Sequence, residues 1–359
     1  MKHIIIGDLR LPALGQGVGG NENYDDSRWI DILRQGIDLG MTLIDTAEIY
    51  RDGRSEEIVG KAIEGRRENV LVFTKVSPQH CHYDDVLKSL ENSLRRLKTD
   101  YVDCYQIHWP NPSIPLEETI RAMLDLKSAG KVRHLGVSNF TLTDFRRVRQ
   151  ISEGKMVSNQ IEYNLVDRGI ESNLLPYAIE QECLLIAYNP LLFSKSKLSV
   201  LQAIARRHGK SVCQVVLRWL IEHKNVIAIP KTLNPAHLQE NATSADYDLD
   251  PPAYEEIEKA FAYRVIDVPV KRIRVPPSSS EVVYTSLEEA LANKAEARPS
   301  PQEIAEDIRA CGVLKPFRLV PTADKSGPYL YDLAQGKMRY WGWVIVHGGE
   351  SSIPAYVME

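Results

Sequence analysis

The chain has 359 residues, of which 43% are hydrophobic and 26% charged, and its formal net charge is −4. This composition is that of an ordinary globular protein, and it excludes a disordered chain, a collagen-like fibre and a small disulfide-stapled domain. The slightly acidic balance offers no general attraction for nucleic acid or an anionic membrane.

Cysteine usage and the N-terminus predict a cytoplasmic protein. The five cysteines are scattered and form no CxxC pair, which is typical of a reducing compartment and argues against a zinc ribbon. The opening sequence MKHIIIGDLR has only three consecutive apolar residues, so it does not resemble a signal peptide. No apolar run approaches the roughly 20 residues that cross a bilayer. We therefore expect neither a membrane partner nor a structural metal.

Eight short apolar runs predict strands that are buried on both faces. They are Leu14–Gly17, Thr42–Asp45, Val70–Lys75, Val102–His108, Val132–Val137, Val157–Gln160, Leu184–Tyr188 and Val226–Pro230. Helical spacing between them is clearest in Ser27–Leu39, Ser55–Ile63, Tyr83–Leu97, Leu116–Ala129, Thr141–Ile151 and Val212–Ile221. Eight strand–helix units predict an α/β protein with a parallel sheet and favour a (β/α)₈ TIM barrel, although a doubly wound sheet shows the same alternation. The glycines of LGQGVGG lack the GxGxxG spacing, so a Rossmann dinucleotide site is not expected.

The pattern changes near residue 263, which predicts a barrel over residues 1–262 and a small second α/β domain over 263–359. Apolar and basic residues alternate in Val265–Val275, as on a strand with a solvated face. Ser300 and Glu303 have the spacing of a capping box, which predicts a helix to Ala310 with Gly312 as its C-cap. Further strands are predicted at Phe317–Val320, Tyr329–Leu333 and Ile353–Val357, and a further helix at Lys337–Val346.

Four polar residues follow successive predicted strands: Asp45, Tyr50, Lys75 and His108. The carboxyl ends of barrel strands carry the active site, so these side chains are expected to lie together. A tyrosine, with a pKa near 10, donates its proton at neutral pH when a nearby ammonium stabilises the phenolate. A lone lysine or histidine would be read first as structural. The four together favour protonation of a carbonyl oxygen.

At these residues the sequence resembles the aldo-keto reductases. The resemblance covers about residues 1–262 and is carried by dispersed motifs. These motifs are Gly40–Tyr50, Ser55-Glu56 with Gly60, Leu94–Leu97, Asp100–Asp103, His108–Pro110, Gly130–Arg133 and Gly136–Asn139.

The resemblance implies a catalytic tetrad in which Tyr50 is the general acid and Lys75 lowers its pKa. Asp45 would pair with Lys75, and His108 would orient the carbonyl. It further implies a nicotinamide cofactor, NADP with NAD as the alternative. The implied cofactor-binding residues are Ser138, Asn139, Gln160, Tyr188, Asn189, Pro190, Leu191, Lys231, Thr232, His237, Glu240 and Asn241. The commonest family pattern has an arginine where His237 stands. Histidine lacks the guanidinium group that can bind the 2′-phosphate of NADPH with two hydrogen bonds, which weakens the expectation that NADPH is preferred over NADH. Tyr24 and Trp109 are expected to line the substrate pocket.

The second domain more faintly resembles the ParB/sulfiredoxin-like nucleotide-binding domain. The segments concerned are Pro301–Cys311, Gly312–Phe317, Tyr329–Leu333, Gly336–Arg339 and Ile353–Ala355. The resemblance implies a phosphate site at Gly336, Lys337 and Arg339, and hence a second nucleotide. An ordinary helix start with solvated basic residues is the alternative. Lys337 stands where sulfiredoxins have their reactive cysteine, and no helix-turn-helix follows, so neither that chemistry nor nucleic-acid binding is expected.

Two functions from different classes therefore remain. The first is an NAD(P)H-dependent reductase of a small-molecule aldehyde or ketone. The second is a cofactor-binding redox sensor or adaptor whose C-terminal domain binds a nucleotide or partner. That domain could instead close the substrate mouth of the barrel. Neither the substrate nor the oligomeric state follows from the sequence.

Overall fold

The computed structural model describes all residues except 20–24, 112, 263–264, 277–283, 296, 298–299, 312–315, 324–326 and 358–359. At positions 307, 310, 311 and 335 only the backbone is described. The chain divides into two units, one of Met1–Phe193 with Lys197–Ala260 and the other of Ser194–Ser196 with Phe261–Glu359. Within the described ranges, no helix has the length and apolar character that a membrane crossing requires.

The first unit begins with an antiparallel hairpin and continues as alternating strands and helices. The hairpin strands are β1 (His3–Ile6) and β2 (Leu9–Pro12). The strands that follow are β3 (Gln16–Gly17), β4 (Leu43–Asp45), β5 (Leu71–Val76), β6 (Val102–Ile107), β7 (Val132–Ser138), β8 (Met156–Glu162), β9 (Leu184–Tyr188) and β10 (Val226–Ala228). The α-helices are α1 (Asp26–Asp38), α2 (Arg54–Ala62), α3 (Tyr83–Leu97), α4 (Leu116–Ser128), α5 (Leu142–Ile151), α6 (Leu174–Glu180), α7 (Leu198–His208), α8 (Val212–Leu220), α9 (Pro235–Thr243) and α10 (Pro251–Ala260).

The parallel strands form one curled sheet in which strand order follows the chain from β3 to β10. The two edges meet where Leu14 pairs with Ala228. There the Gly15 amide donates to the Ala228 carbonyl at 2.9 Å, and the Ala228 amide donates to the Ala13 carbonyl at 3.0 Å. This sequential order excludes a doubly wound sheet, in which the strand order reverses at a switch point. The carboxyl ends of all eight strands therefore lie at one end of a barrel-like sheet.

Buried side chains fill the inside of this sheet, among them Leu43, Phe73 and Ile186. Outside it, helices pack closely on one another where the sequence supplies small residues. A Cβ on Gly60 of α2 would lie only 2.7 Å from the Arg96 carbonyl oxygen at the end of α3. Glycine at this position therefore sets the approach of these two helices, which carry the loops around the strand ends.

The second unit is a mixed five-stranded sheet with helices, in the order β11-β15-β13-β14-β12. Its strands are β11 (Val265–Pro269), β12 (Ile273–Arg274), β13 (Phe317–Pro321), β14 (Tyr331–Gln335) and β15 (Ser352–Val357). Its helices are α11 (Leu287–Leu291), α12 (Pro301–Cys311) and α13 (Lys337–His347). The unit has a hydrophobic core of its own, to which Phe317, Leu333, Trp341 and Ile353 contribute.

Several element boundaries differ from those predicted. The alternating segment Val265–Val275 is not one strand, because a 3₁₀ turn at Val270–Arg272 separates β11 from β12. The strand predicted at Tyr329–Leu333 begins two residues later, at Tyr331. The capping box is present: the Glu303 amide donates to Ser300 Oγ at 3.2 Å and the Ser300 amide to Glu303 Oε2 at 2.6 Å. The predicted C-cap Gly312 lies outside the described residues.

Candidate active site

A buried ion pair between Lys75 and Asp45 lies at the carboxyl ends of β4 and β5. Lys75 Nζ donates to both Asp45 carboxylate oxygens, at 2.7 and 2.8 Å, and to the Thr46 carbonyl at 2.8 Å. The Lys75 side chain is fully buried, and only 5% of the Asp45 side chain is exposed. Three acceptors therefore satisfy the three N–H groups of the ammonium, which keeps this cation in place in the interior.

Tyr50 and His108 lie next to this pair. Lys75 Nζ is 5.3 Å from the centroid of the Tyr50 ring. The Tyr50 hydroxyl is 3.4 Å from His108 Nε2, and the two rings meet edge to face. The structure thus brings together the four residues that were predicted to form a tetrad.

The electrostatic environment differs for each of the three protonatable groups. Burial raises the pKa of the Tyr50 hydroxyl, and the Lys75 ammonium acts in the opposite direction. Burial alone would lower the pKa of Lys75, but Asp45 and Tyr50 outweigh it, so the pKa is raised and the ammonium stays charged. Burial, helped by the Lys75 charge, lowers the pKa of His108 to about 3. At neutral pH the site therefore holds a protonated tyrosine, a charged lysine and a neutral histidine.

Amide and hydroxyl groups continue from this cluster along β7, β8 and β9. Gln160 Nε2 donates to Asp45 Oδ1 at 2.8 Å. Asn139 Nδ2 donates to the His108 carbonyl at 3.1 Å and to Ser138 Oγ at 3.0 Å. The Tyr188 hydroxyl donates to Asn139 Oδ1 at 2.8 Å. These hydrogen bonds extend from Asp45 and His108 to the Tyr188 ring.

The tetrad residues other than Lys75, together with Ser138, Asn139, Gln160 and Tyr188, border a cavity of about 690 Å³. Of the predicted residues, the cavity is lined by Asp45, Tyr50, His108, Trp109, Ser138, Asn139, Gln160, Tyr188, Asn189, Pro190, Leu191 and Lys231. Trp109 is 46% exposed, which leaves its indole available to a ligand. Tyr24, the other predicted substrate-pocket residue, lies outside the described residues.

Four residues predicted to bind the adenosine end do not line this cavity. Thr232 Oγ1 accepts a hydrogen bond from the Asn234 amide at 3.0 Å, and His237 is exposed in the first turn of α9. Glu240 Oε2 accepts a hydrogen bond from the Ser211 hydroxyl at 2.8 Å, and Asn241 is buried. Thr232 and His237 are thus partly or fully exposed, whereas Glu240 is hydrogen-bonded within the protein and Asn241 is buried.

Sequence reasoning missed several residues that shape the cavity. A Cβ on Gly19 would lie 3.2 Å from Cε2 of Tyr50, so the backbone at Gly19 closely approaches the ring that carries the hydroxyl. Gly17, Leu192 and Ile229 also line the cavity. Asn164 Nδ2 donates to the Asn189 carbonyl at 3.2 Å and so positions the loop after β9. The glycine-rich LGQGVGG was the one available signal, and it was considered only as a possible Rossmann motif.

Some motif residues of the sequence analysis stabilise the scaffold instead. Asp103 accepts hydrogen bonds from Arg67 Nη2 at 2.8 Å, Arg133 Nη1 at 2.9 Å and the Val72 amide at 2.9 Å. The same two guanidinium groups lie 3.9 and 4.0 Å from the centroid of the Tyr101 ring. This cluster lies at the start of β6, at the end of the sheet opposite the site, where residues serve stability.

In the second unit, Gly336 adopts a φ of +95° as the N-cap residue of α13, and a glycine has no side chain with which to cap the helix. A Cβ on Gly336 would lie 3.0 Å from an Arg339 guanidinium nitrogen, so Arg339 folds back towards the helix start. The structure thus brings Gly336 and Arg339 together, with Lys337 as the first helical residue. Within the described part of the chain, no group of three or more His, Cys, Asp or Glu side chains could hold a metal ion.

Comparison with known proteins gives matches over most of the chain. The family model of the Aldo/keto reductase family matches residues 13–262. Methylglyoxal reductase YeaE of Escherichia coli is 40% identical over 264 residues, which are 71% of this chain and 93% of the relative. A glyoxal reductase of Bacillus subtilis is 34% identical over 280 residues, 77% of this chain and 95% of the relative.

Two solved structures each match 72% of the chain. A thermostable aldo-keto reductase in complex with the inhibitor epalrestat is 39% identical, with a TM-score of 0.70, and the match covers 72% of this chain and all of that one. An aldo/keto reductase from Klebsiella pneumoniae in complex with NADP and acetate is 37% identical, with a TM-score of 0.69, over 72% of this chain and 95% of that one. None of these matches supports the predicted ParB/sulfiredoxin-like resemblance.

Proposed function

The chain belongs to the aldo/keto reductase family, and from that premise we propose that it reduces the carbonyl group of a small aldehyde or ketone with NADPH. The observation that carries the proposal is the buried Lys75–Asp45 pair beside the hydroxyl of Tyr50 and a neutral His108. When bound, NADPH supplies a hydride to the carbonyl carbon. The protein must supply the proton to the oxygen.

Tyr50 is the proton donor in this proposal. Its raised pKa keeps the hydroxyl protonated at neutral pH. The ammonium of Lys75, 5.3 Å from the ring centroid, stabilises the negative charge that develops as the proton leaves. Asp45 keeps Lys75 charged and correctly placed through two hydrogen bonds. General acid catalysis of this kind contributes roughly 100- to 10,000-fold to a rate.

His108 positions the carbonyl oxygen. Its pKa of about 3 makes it a neutral hydrogen-bonding group throughout the physiological pH range. Its Nε2 lies 3.4 Å from the Tyr50 hydroxyl, so both groups can reach one substrate oxygen between them. His108 Nδ1 is buried and has no hydrogen-bond partner among the described residues, which leaves the tautomer free to suit the substrate.

The side chains around the cavity fit a nicotinamide nucleotide. Ser138, Asn139 and Gln160 offer the hydroxyl and amide groups that a carboxamide requires, and Tyr188 offers a half-buried ring on which a flat heterocycle can stack. Asn189, Pro190 and Leu191 would follow the pyrophosphate. Lys231 and Thr232 would hold a 2′-phosphate, with His237, Glu240 and Asn241 towards the adenine. The Klebsiella pneumoniae relative, crystallised with NADP, supports this choice of cofactor.

The substrate class is a small dicarbonyl compound such as methylglyoxal or glyoxal. The two reductases named above are called after these compounds, and each is aligned over more than nine-tenths of its own length. Trp109, Leu191 and Leu192 give the cavity an apolar wall, and Lys231 is the one lysine or arginine among its described lining residues. A neutral substrate suits that lining better than a carboxylate.

We further propose that the eight strands form a closed (β/α)₈ barrel and that residues 263–359 are a separate accessory domain. The pairing of Leu14 with Ala228 and the separate hydrophobic core of the second unit support these assignments. Nucleotide binding at Gly336, Lys337 and Arg339 stays a prediction.

Turnover distinguishes the reductase from a redox sensor. We expect the purified full chain to oxidise NADPH in the presence of methylglyoxal, and the product to be the corresponding hydroxy compound. A protein that binds NADPH tightly but oxidises it with no member of an aldehyde and ketone panel would instead be the sensor.

A further inference from the structure

The turn after Tyr50 has an unusual backbone. Arg51 and Asp52 both have a φ of +52°, and Gly53 follows with a φ of +84°. A left-handed conformation is unfavourable for an L-residue that has a side chain, and two such residues are consecutive here. Such conformations persist when the surrounding structure holds them, and they cluster at functional sites.

Asp26, the first residue of α1, contacts this turn from outside. Its Oδ1 accepts a hydrogen bond from Arg51 Nη1 at 3.3 Å, and its Oδ2 accepts one from Arg54 Nε at 2.7 Å. The Asp26 side chain is 22% exposed and that of Arg51 18%, so solvent screens this ion pair less than a surface pair. A carboxylate in the first turn of a helix is also favoured by the helix dipole.

The other side of the turn rests on a buried pair. A Cβ on Gly53 would lie 2.7 Å from Cδ of Arg96, and Arg96 Nε donates to the fully buried Glu56 at 2.7 Å. This contact fixes the turn towards α3. Among the described residues, Asp26 links the turn to α1, since its one carboxylate accepts hydrogen bonds from Arg51 and Arg54, on either side of Gly53.

We propose that Asp26 is a positioning residue for Tyr50: its carboxylate holds Arg51 and Arg54 and thereby fixes the left-handed turn that places the Tyr50 hydroxyl beside His108. This inference rests on the proposed function of Tyr50 as proton donor. Asp26 touches neither the hydroxyl nor the cavity, so its effect passes through the backbone of residues 50–54. A misplacement of about 1 Å at a reacting group can cost roughly 100-fold in rate.

Glu57 provides a matched control. It forms an ion pair with Nη1 of the same Arg54, but it belongs to α2 itself, three residues further on, and does not link the turn to α1. Glu57→Gln therefore removes a comparable charge from the same guanidinium without releasing the turn.

The test compares Asp26→Ala, Asp26→Asn, Asp26→Glu and Glu57→Gln in the full chain, with NADPH and methylglyoxal as the probes. We expect Asp26→Ala to lower kcat at least about tenfold while the Kd for NADPH stays within about twofold, because the cofactor residues lie on other strands. The alkaline limb of the kcat–pH profile should shift, since the surroundings of the Tyr50 hydroxyl change. Asp26→Asn keeps an acceptor and should lose less, Asp26→Glu should recover part of the rate, and Glu57→Gln should match the wild type.

Hydrogen exchange at the amides of residues 50–54 reports on the turn without turnover. The proposal expects faster exchange there in Asp26→Ala than in Glu57→Gln. Unchanged exchange and unchanged kcat in Asp26→Ala would overturn it, as would equal losses in kcat, NADPH affinity and thermal stability. If the wild type reduces no carbonyl compound, the proposed function fails, and the exchange measurement still decides whether Asp26 holds the turn.

Discussion

In a Lys75→Met variant the Asp45 carboxylate would remain buried without its cation. Both side chains are buried, and the two hydrogen bonds that join them are 2.7 and 2.8 Å long. Removal of one partner from a buried ion pair costs about 3–5 kcal/mol in the free energy of unfolding. Gln160 still donates to Asp45 at 2.8 Å, so we expect a loss near the lower end, about 3 kcal/mol. That is a large part of the stability of a typical domain.

An Asp45→Asn/Lys75→Met double variant separates folding from catalysis. It leaves neither charge buried, so it should recover most of the lost unfolding free energy. Both variants should lose at least about 100-fold in kcat, because Tyr50 has no ammonium to stabilise its phenolate. Urea unfolding and NADPH oxidation with methylglyoxal measure the two effects. If Lys75→Met is as stable as the wild type, an unpaired Asp45 carboxylate does not have the predicted energetic cost. A double variant that regains activity together with stability would refute the role of Lys75.

The pH dependence of this stabilisation has a definite sign. The pKa of Lys75 is raised in the folded chain. Its contribution is therefore complete below the pKa of an unfolded lysine, near 10.4, and is lost only as pH rises through the higher folded value. The difference in unfolding free energy between the wild type and Lys75→Met should be constant from about pH 6 to 9.

Three further predictions concern other parts of the chain. Lys231→Ala should weaken NADPH binding by about 1.5–3 kcal/mol, which is the range for hydrogen bonds to charged groups, and should weaken NADH binding far less. Calorimetry with both cofactors measures the two losses, and equal losses would contradict this prediction. The pKa of His108 is near 6.5 in the unfolded chain and about 3 in the folded chain, so by pH 5 this group should lower the unfolding free energy of the wild type by up to about 2 kcal/mol. His108→Gln should lack this loss, and parallel pH–stability curves for the two proteins would argue against a neutral His108. If Gly336 and Arg339 bind phosphate, ATP or CTP should bind the full chain; Arg339→Ala should abolish that binding, and Lys231→Ala should leave it intact. If the full chain binds no nucleotide other than the cofactor, the predicted phosphate site is wrong.

The sequence predicted a helix or strand well where the residues of that segment alone determine its bounds. The helix predicted at Tyr83–Leu97 has those bounds, because an amphipathic run there ends at Lys98, which adopts a left-handed φ of +54°. The N-terminal hairpin β1–β2 was missed, since its strands are only four residues each. Helices α6, α7, α9 and α10 were also not singled out. Family membership and the reductase class, predicted from dispersed motifs, are confirmed by the match over residues 13–262.

The rest of the site depends on contacts between distant residues, and local sequence carries no signal for those. Gln160 reaches Asp45 across 115 positions of the chain. Gly19 matters because the Tyr50 ring lies against it, and Asn164 because it holds the carbonyl of Asn189. These relationships arise only when the sheet curls. The positions of polar residues at strand ends therefore predicted which four side chains lie together, but not the residues that support them.

The most direct test of the central claim, that Tyr50 delivers the proton, is single-turnover reduction of methylglyoxal by Tyr50→Phe. The hydroxyl is 3.4 Å from His108 Nε2, which is a long hydrogen bond, so its removal should barely affect folding. We predict a Kd for NADPH within about twofold of the wild type and a rate at least about 100-fold lower. A rate above about one tenth of the wild-type value, with NADPH affinity intact, would show that another group supplies the proton.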